Sequence, residues 1–199
     1  HIATLTAARP KGPVHLCGWS VGGLLASEMA RQLEAAGRPV TSLILVDTHP
    51  GTARADATRD PATQRAMFAQ LTAGLSPPAA VVDAADDQQF LQRLQAHAVE
   101  QGRLLHDRRL PALQRHWRVF CALVRASHTY RPEPHDSPID LIQTSFTPAP
   151  LAAEQQRDCQ RLTRGGLTTH RVAGDHHSIL QPPAVRATAE RIEEILRGS

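Results

Sequence analysis

The residues with the clearest capacity for chemistry are Gly18-Trp19-Ser20-Val21-Gly22-Gly23. A serine framed by glycines in the pattern G-x-S-x-G marks a sharp turn from a strand into a helix. The flanks agree: Val14-His15-Leu16-Cys17 reads as a short buried strand, and Val21 to Ala36 reads as a helix. Such a turn strains the serine backbone and lifts its hydroxyl above a sheet. The same tightness predicts that only hydrogen fits at Gly18 and Gly22. The helix starting at Val21 would aim its free N–H groups and positive dipole end at the same point, where a developing oxyanion would be stabilised.

A serine hydroxyl is a weak nucleophile until a base takes its proton. A histidine of near-neutral pKa can do this and later return the proton to a leaving group. A carboxylate behind the histidine fixes its tautomer and stabilises the imidazolium. The apolar run Ser42-Leu43-Ile44-Leu45-Val46 ends in such a carboxylate, Asp47. Strand, helix and strand at this spacing make a βαβ unit, so Ser20 and Asp47 fall at the C-terminal ends of adjacent parallel strands. A later strand, Thr168-Thr169-His170-Arg171-Val172, runs into Ala173-Gly174-Asp175-His176-His177. His176 and His177 are adjacent, only one can face the serine, and the residues alone leave the choice open. Among acids, the strand at 138–143 is followed by Thr144-Ser145-Phe146-Thr147 and offers no competitor to Asp47, while Asp175 is too near His176 in sequence to orient it. Asp140, inside that strand, is expected to serve as an edge or capping group. The chain order serine, acid, histidine is that of α/β-hydrolases.

The remaining elements must position these groups. Residues 1–8 read as the tail of a helix. Residues 52–110, rich in Ala, Gln, Asp and Arg and without a strand, read as a helical lid inserted in the domain. Helices are expected from Asp60-Pro61 to Ala73 and from about Asp86 to Gln101. Pro111 opens a longer helix to Tyr130, with Trp117, Phe120, Cys121 and Val124 as a core stripe. A helix near Leu151–Leu162 and a final helix from Ala184 to Leu196 complete the pattern. The fold class is α/β: a mostly parallel sheet with helices on both faces and a helical lid.

The chain has 199 residues and a net charge of +3, enough for one domain, 1–199, with a real core. Its basic groups are nearly all arginines, scattered and not interleaved with aromatics, which argues against a nucleic-acid surface. No apolar run is long enough to span a bilayer, and no signal peptide is visible. Three widely spaced cysteines, Cys17, Cys121 and Cys159, give neither a disulfide framework nor a zinc site, and fit a reducing cytoplasm. Cys17 and Cys121 read as small core residues.

Gly-Trp-Ser-Val-Gly-Gly, then Leu-Val-Asp, then Gly-Asp-His-His-Ser-Ile-Leu resemble the type I thioesterase domains that end nonribosomal peptide synthetases and polyketide synthases. The tryptophan before the serine, the interval from Ser20 to Asp47, and Tyr130-Arg131-Pro132 after a long helix share in the resemblance, which spans most of the chain. It implies the α/β-hydrolase fold and a catalytic set of Ser20, Asp47 and, as the histidine of G-x-H, His176. It implies one oxyanion donor at the backbone N–H of Val21. The implied substrate is an acyl or peptidyl chain on the phosphopantetheine arm of a carrier domain upstream in the same polypeptide. Release would be by hydrolysis or macrocyclisation, with no cofactor or metal of the domain's own.

The family also places several strands and a second oxyanion donor before the elbow. Here the chain starts with His1 and thirteen residues precede Val14. A piece lacking its N-terminal strands is therefore expected, weakly active or inactive by itself, with an exposed sheet edge. Two other readings share the residues: a stand-alone carboxylesterase or lipase, and a non-catalytic hydrolase-like binding domain.

Overall fold

The computed structural model describes residues 1–50, 60–103 and 110–198. By contact density the chain forms two compact units, His1–Gly51 with Arg131–Ser199, and Thr52–Tyr130.

In the first unit, β1 (Val14–Trp19), β2 (Val40–Val46), β3 (Ile139–Thr144) and β4 (Leu167–Val172) form a four-stranded sheet in that order. Every pairing is parallel: Cys17 sits opposite Ile44, Leu45 opposite Leu141, and Leu141 opposite Thr169. The continuous apolar run of β2 follows from its central place, since a strand with a neighbour on each side and a helix over each face meets no water. Side chains alternate between faces. Leu43 and Leu45 pack with Ala26, Ala30 and Leu33 of α2 (Val21–Ala35), and with Cys159 and Leu162 of a later helix. Ile44 and Val46 pack on the other face with Ile179 and with Ile195 of the C-terminal helix. Ile2 and Leu5 of α1 (Ile2–Ala8) rest against the first of these clusters.

Two core assignments need correction. Cys17, like His15, is exposed on β1, which lies at an edge of this sheet. Cys121 is only partly buried, packed at the margin of the second unit's core. Cys159 is fully buried, and burial pushes its thiol up to about 12, so it is an inert core group. Asp140 bridges strands by a 2.7 Å contact with Nε2 of His170 on β4.

The second unit contains α3 (Pro61–Ala73), α4 (Ala79–Val82), α5 (Asp87–Glu100) and α6 (Leu110–Thr129). The Asp60 side chain caps α3 by accepting from the Thr63 N–H at 2.8 Å, and Asp86 caps α5 through Gln89 in the same way. Phe68, Phe90, Leu94, Leu113 and Trp117 form its core. The long helix α6 therefore packs with the helices before it, beyond position 110. Arg65 is nearly buried, and its two terminal nitrogens donate to the carbonyls of Val82 and Ala84 and to the carboxylate of Asp87, which ties α4 and its following turn to α3. Back in the first unit, α7 (Ala149–Leu162) follows β3 and α8 (Ala184–Arg197) closes the chain.

Candidate active site

Ser20 stands between β1 and α2 with φ 56° and ψ −126°, a conformation that a side-chain-bearing residue adopts only under constraint. The constraint is visible. The Ser20 N–H donates to Val46 O at 3.0 Å, tying the turn to β2. Its carbonyl accepts from the Gly23 N–H at 3.0 Å and from Thr48 Oγ1 at 3.1 Å. Val21 is the first residue of α2, so its N–H has no intrahelical acceptor.

Gly18 and Gly23 are the glycines required by close approach. A Cβ on Gly18 would lie 2.2 Å from Gly22 O, and one on Gly23 would lie 1.9 Å from Thr48 Oγ1. Gly22, expected to need hydrogen for the same reason, has nothing within 4 Å of its Cβ position among the described residues. The crowding at this turn falls on one side of the helix start, where Thr48 arrives from the end of β2.

Asp47 directly follows β2, buried, with φ 42°. Its N–H donates to Ile142 O at 2.8 Å, which holds it between the ends of β2 and β3. Carboxylate Oδ2 lies 2.7 Å from Nδ1 of His176. Oδ1 accepts from Gln155 Nε2 at 3.3 Å, with His49 Nε2 at 3.8 Å, beyond hydrogen-bond reach. Burial alone would raise the carboxyl pKa. The histidines outweigh it, His176 by hydrogen bond and both by charge, and hold Asp47 well below the usual carboxylate range. An ionised carboxylate only accepts, so Nδ1 of His176 carries a proton, and the neutral form of the ring presents Nε2 as an acceptor, the form a general base needs.

The sign of that shift gives a stability prediction. A carboxyl whose folded pKa is depressed contributes stability above its unfolded pKa, and that contribution is lost as pH falls below about 4 toward the folded value. Acid unfolding followed by circular dichroism is therefore expected to show the gap in stability between the wild type and Asp47→Asn closing below about pH 4. A gap that stays constant down to acid unfolding would contradict it.

The histidine is delivered by the loop after β4. Gly174 turns at φ 124°, and Asp175 accepts from the N–H groups of His177 and Ser178, each at 2.9 Å. Those two backbone bonds lower the Asp175 pKa, so it builds the loop and does not touch the His176 ring through any described bond. His177 meets the His176 ring edge-on, at 5.2 Å between centroids, and His176 is the one that reaches Asp47.

Two participants escaped the sequence reading. Trp19 stacks on the His176 ring at 5.0 Å and 28°, and its indole N–H donates to His176 O at 3.1 Å. The residue next to Ser20 thus grips both ring and backbone of His176, which brings the three parts of the site to one sheet end. The other is Gln155. The only signal for it in the sequence is a glutamine on the inward face of α7, beside Ala152 and Cys159.

A model of the thioesterase domain matches residues 1–196. The chain belongs to the thioesterase family. Among curated proteins, this thioesterase chain is 40% identical over 57 residues to N-(5-amino-5-carboxypentanoyl)-L-cysteinyl-D-valine synthase of Amycolatopsis lactamdurans, covering 29% of the chain and 2% of that protein. It is 50% identical over 52 residues to the non-reducing polyketide synthase PFUR17_0229 of Pseudevernia furfuracea, covering 26% of the chain and 2% of the synthase. The matched stretches are thus a small fraction of these relatives.

Among solved structures, the four-domain nonribosomal peptide synthetase holo-AB3403, bound to AMP and glycine, superposes with a TM-score of 0.83 at 28% identity, over 97% of this chain and 15% of that one. The Vlm2 thioesterase domain bound with a dodecadepsipeptide gives 0.71 at 20% identity, over 96% of this chain and 70% of that domain, and shows the fold. The fold is accordingly that of the thioesterase members of the α/β-hydrolases. Among the described residues no helix is long and apolar enough to cross a membrane, and no cluster of three or more His, Cys, Asp or Glu could hold a metal ion.

Proposed function

We propose that this thioesterase domain releases an acyl or peptidyl chain from the phosphopantetheine thioester of a carrier domain in the same polypeptide, through an acyl-enzyme on Ser20. The reading rests above all on one observation: a buried Asp47 bonded at 2.7 Å to His176, whose ring is stacked on the residue preceding a strained serine. The names of the relatives, synthases of peptides and polyketides, support the carrier as partner.

In the proposed reaction, Ser20 Oγ attacks the thioester carbonyl while His176 Nε2 takes the hydroxyl proton. Negative charge gathers on the carbonyl oxygen, opposite the Val21 N–H at the helix start. Collapse breaks the C–S bond, and the proton passes from His176 to the departing pantetheine sulfur. The acyl-enzyme then accepts water, giving an acid, or an internal amine or hydroxyl, giving a ring. His176 removes the proton of that nucleophile and returns it to Ser20.

The test is reaction of the full polypeptide with a fluorophosphonate and with an acyl-pantetheine thioester. The wild type is expected to be labelled on Ser20, and Ser20→Ala to lose labelling and about 10⁵-fold or more in kcat. Hydrolysis retained by Ser20→Ala would overturn the acyl-enzyme.

A further inference from the structure

Behind Asp47 lies a chain of three glutamine amides, two of them buried. Gln155 on α7 uses both Nε2 protons, one to Asp47 Oδ1 at 3.3 Å and one to Thr48 O at 2.9 Å. Its Oε1 accepts from Gln143 Nε2 on β3 at 2.7 Å. Gln143 gives its second proton to Ala152 O at 2.9 Å, and its Oε1 accepts from Gln156 Nε2 at 2.9 Å. Gln143 and Gln155 are 0% and 1% exposed.

Buried amides are costly unless every group is paired, and an apolar side chain at either position would pack without that demand. Here each amide proton and each acceptor in the buried pair has a partner. The direction of the chain is also determined. A carboxylate offers no proton, so Gln155 must turn its nitrogen toward Asp47, and Gln143 must then turn its nitrogen toward Gln155.

We propose that Gln155 is a positioning residue for Asp47. It anchors Oδ1 so that the carboxylate plane is locked and Oδ2 stays in line with Nδ1 of His176, and Gln143 and Gln156 hold the Gln155 amide in that orientation. The proposal rests on Asp47 and His176 acting as acid and base. Without the Gln155 donor the carboxylate can rotate about its Cβ–Cγ bond, since His49, the other group facing Oδ1 among the described residues, stands at 3.8 Å, beyond hydrogen-bond distance. The loss should fall on reactivity of Ser20 and on the Asp47–His176 bond more than on substrate affinity.

Two variants of the full chain test it. Gln155→Met keeps length and removes the donor, whereas Gln155→Glu keeps shape and, when protonated, the donor. Two readouts are taken: the rate of fluorophosphonate labelling, and the low-field proton resonance of the His176 Nδ1–H. Gln155→Met is expected to label about tenfold more slowly, the worth of one such hydrogen bond, with its ring proton shifted or broadened. Gln155→Glu recovers most of the rate at the acid end of the labelling profile, where its carboxyl is protonated and donates. It then falls relative to the wild type as pH rises, because ionisation removes the donor and adds charge beside Asp47, His176 and His49.

Wild-type labelling by Gln155→Met with an unchanged ring proton would overturn the proposal. Should that variant not fold, a pH-independent ratio between Gln155→Glu and the wild type would do the same. If the wild type is not labelled but the ring proton still responds to Gln155→Met, the positioning role stands and the serine-hydrolase reading fails.

Discussion

Asp47→Asn is expected to lower kcat for thioester hydrolysis by about 10⁴-fold in a protein that still folds. The size of the loss follows from which way the new amide must face. Gln155 points a donor at Oδ1 and is held in that orientation by Gln143. An asparagine in place of Asp47 must therefore turn its oxygen toward Gln155 and its NH₂ toward Nδ1 of His176. The imidazole then accepts at Nδ1 and carries its proton on Nε2, where it cannot take a proton from Ser20. Flipping the asparagine would set two NH₂ groups against each other. Flipping Gln155 as well would strip Thr48 O of its donor and oppose the Gln143 NH₂. Turnover of an acyl-pantetheine thioester, with circular dichroism to check the fold, measures this. A loss below about tenfold would mean that the acid is not Asp47.

Gly18→Ala carries the largest expected effect on stability, a loss of about 3 kcal/mol. The added carbon would lie 2.2, 2.4 and 2.5 Å from Gly22 O, Gly22 C and Gly23 N. All three are backbone atoms of the first turn of α2, so no side chain can swing aside. The helix start must shift, taking with it the Val21 N–H and the placement of Ser20. Thioester turnover should therefore fall together with the midpoint of urea unfolding. Gly22→Ala is the control from the same motif. With nothing within 4 Å of its Cβ position among the described residues, it should stay within about 0.5 kcal/mol of the wild type. Equal destabilisation by the two would contradict the geometry of the turn.

The contrast between Gly18 and Gly22 shows what a motif can and cannot say. Both glycines belong to G-x-S-x-G, yet only the path of the chain reveals which one meets another backbone. Thr48 is invisible as a partner of Gly23 until β2 is laid beside β1, and their contact then explains the second glycine of the Gly22-Gly23 pair. Cys17 was misplaced for a related reason. An apolar alternation reads the same on an edge strand as in the middle of a sheet, and position in the sheet is not written in the strand itself.

The four strands, the longer helices between them and the chain order of the candidate residues Ser20, Asp47 and His176 are legible in the sequence, because these depend on local periodicity, on turn residues and on spacing along the chain, whereas the short α4 is not. The sequence also carried the resemblance that distinguished His176 from its neighbour His177. What surrounds those groups depends on the folded chain: Trp19 against the His176 ring, and Gln155 behind Asp47 at a separation of 108 residues. Hydrogen bonds and close contacts of that kind depend on which side chains meet in space. A glutamine on a helix reads as a solvated surface group until packing turns it toward a buried carboxylate.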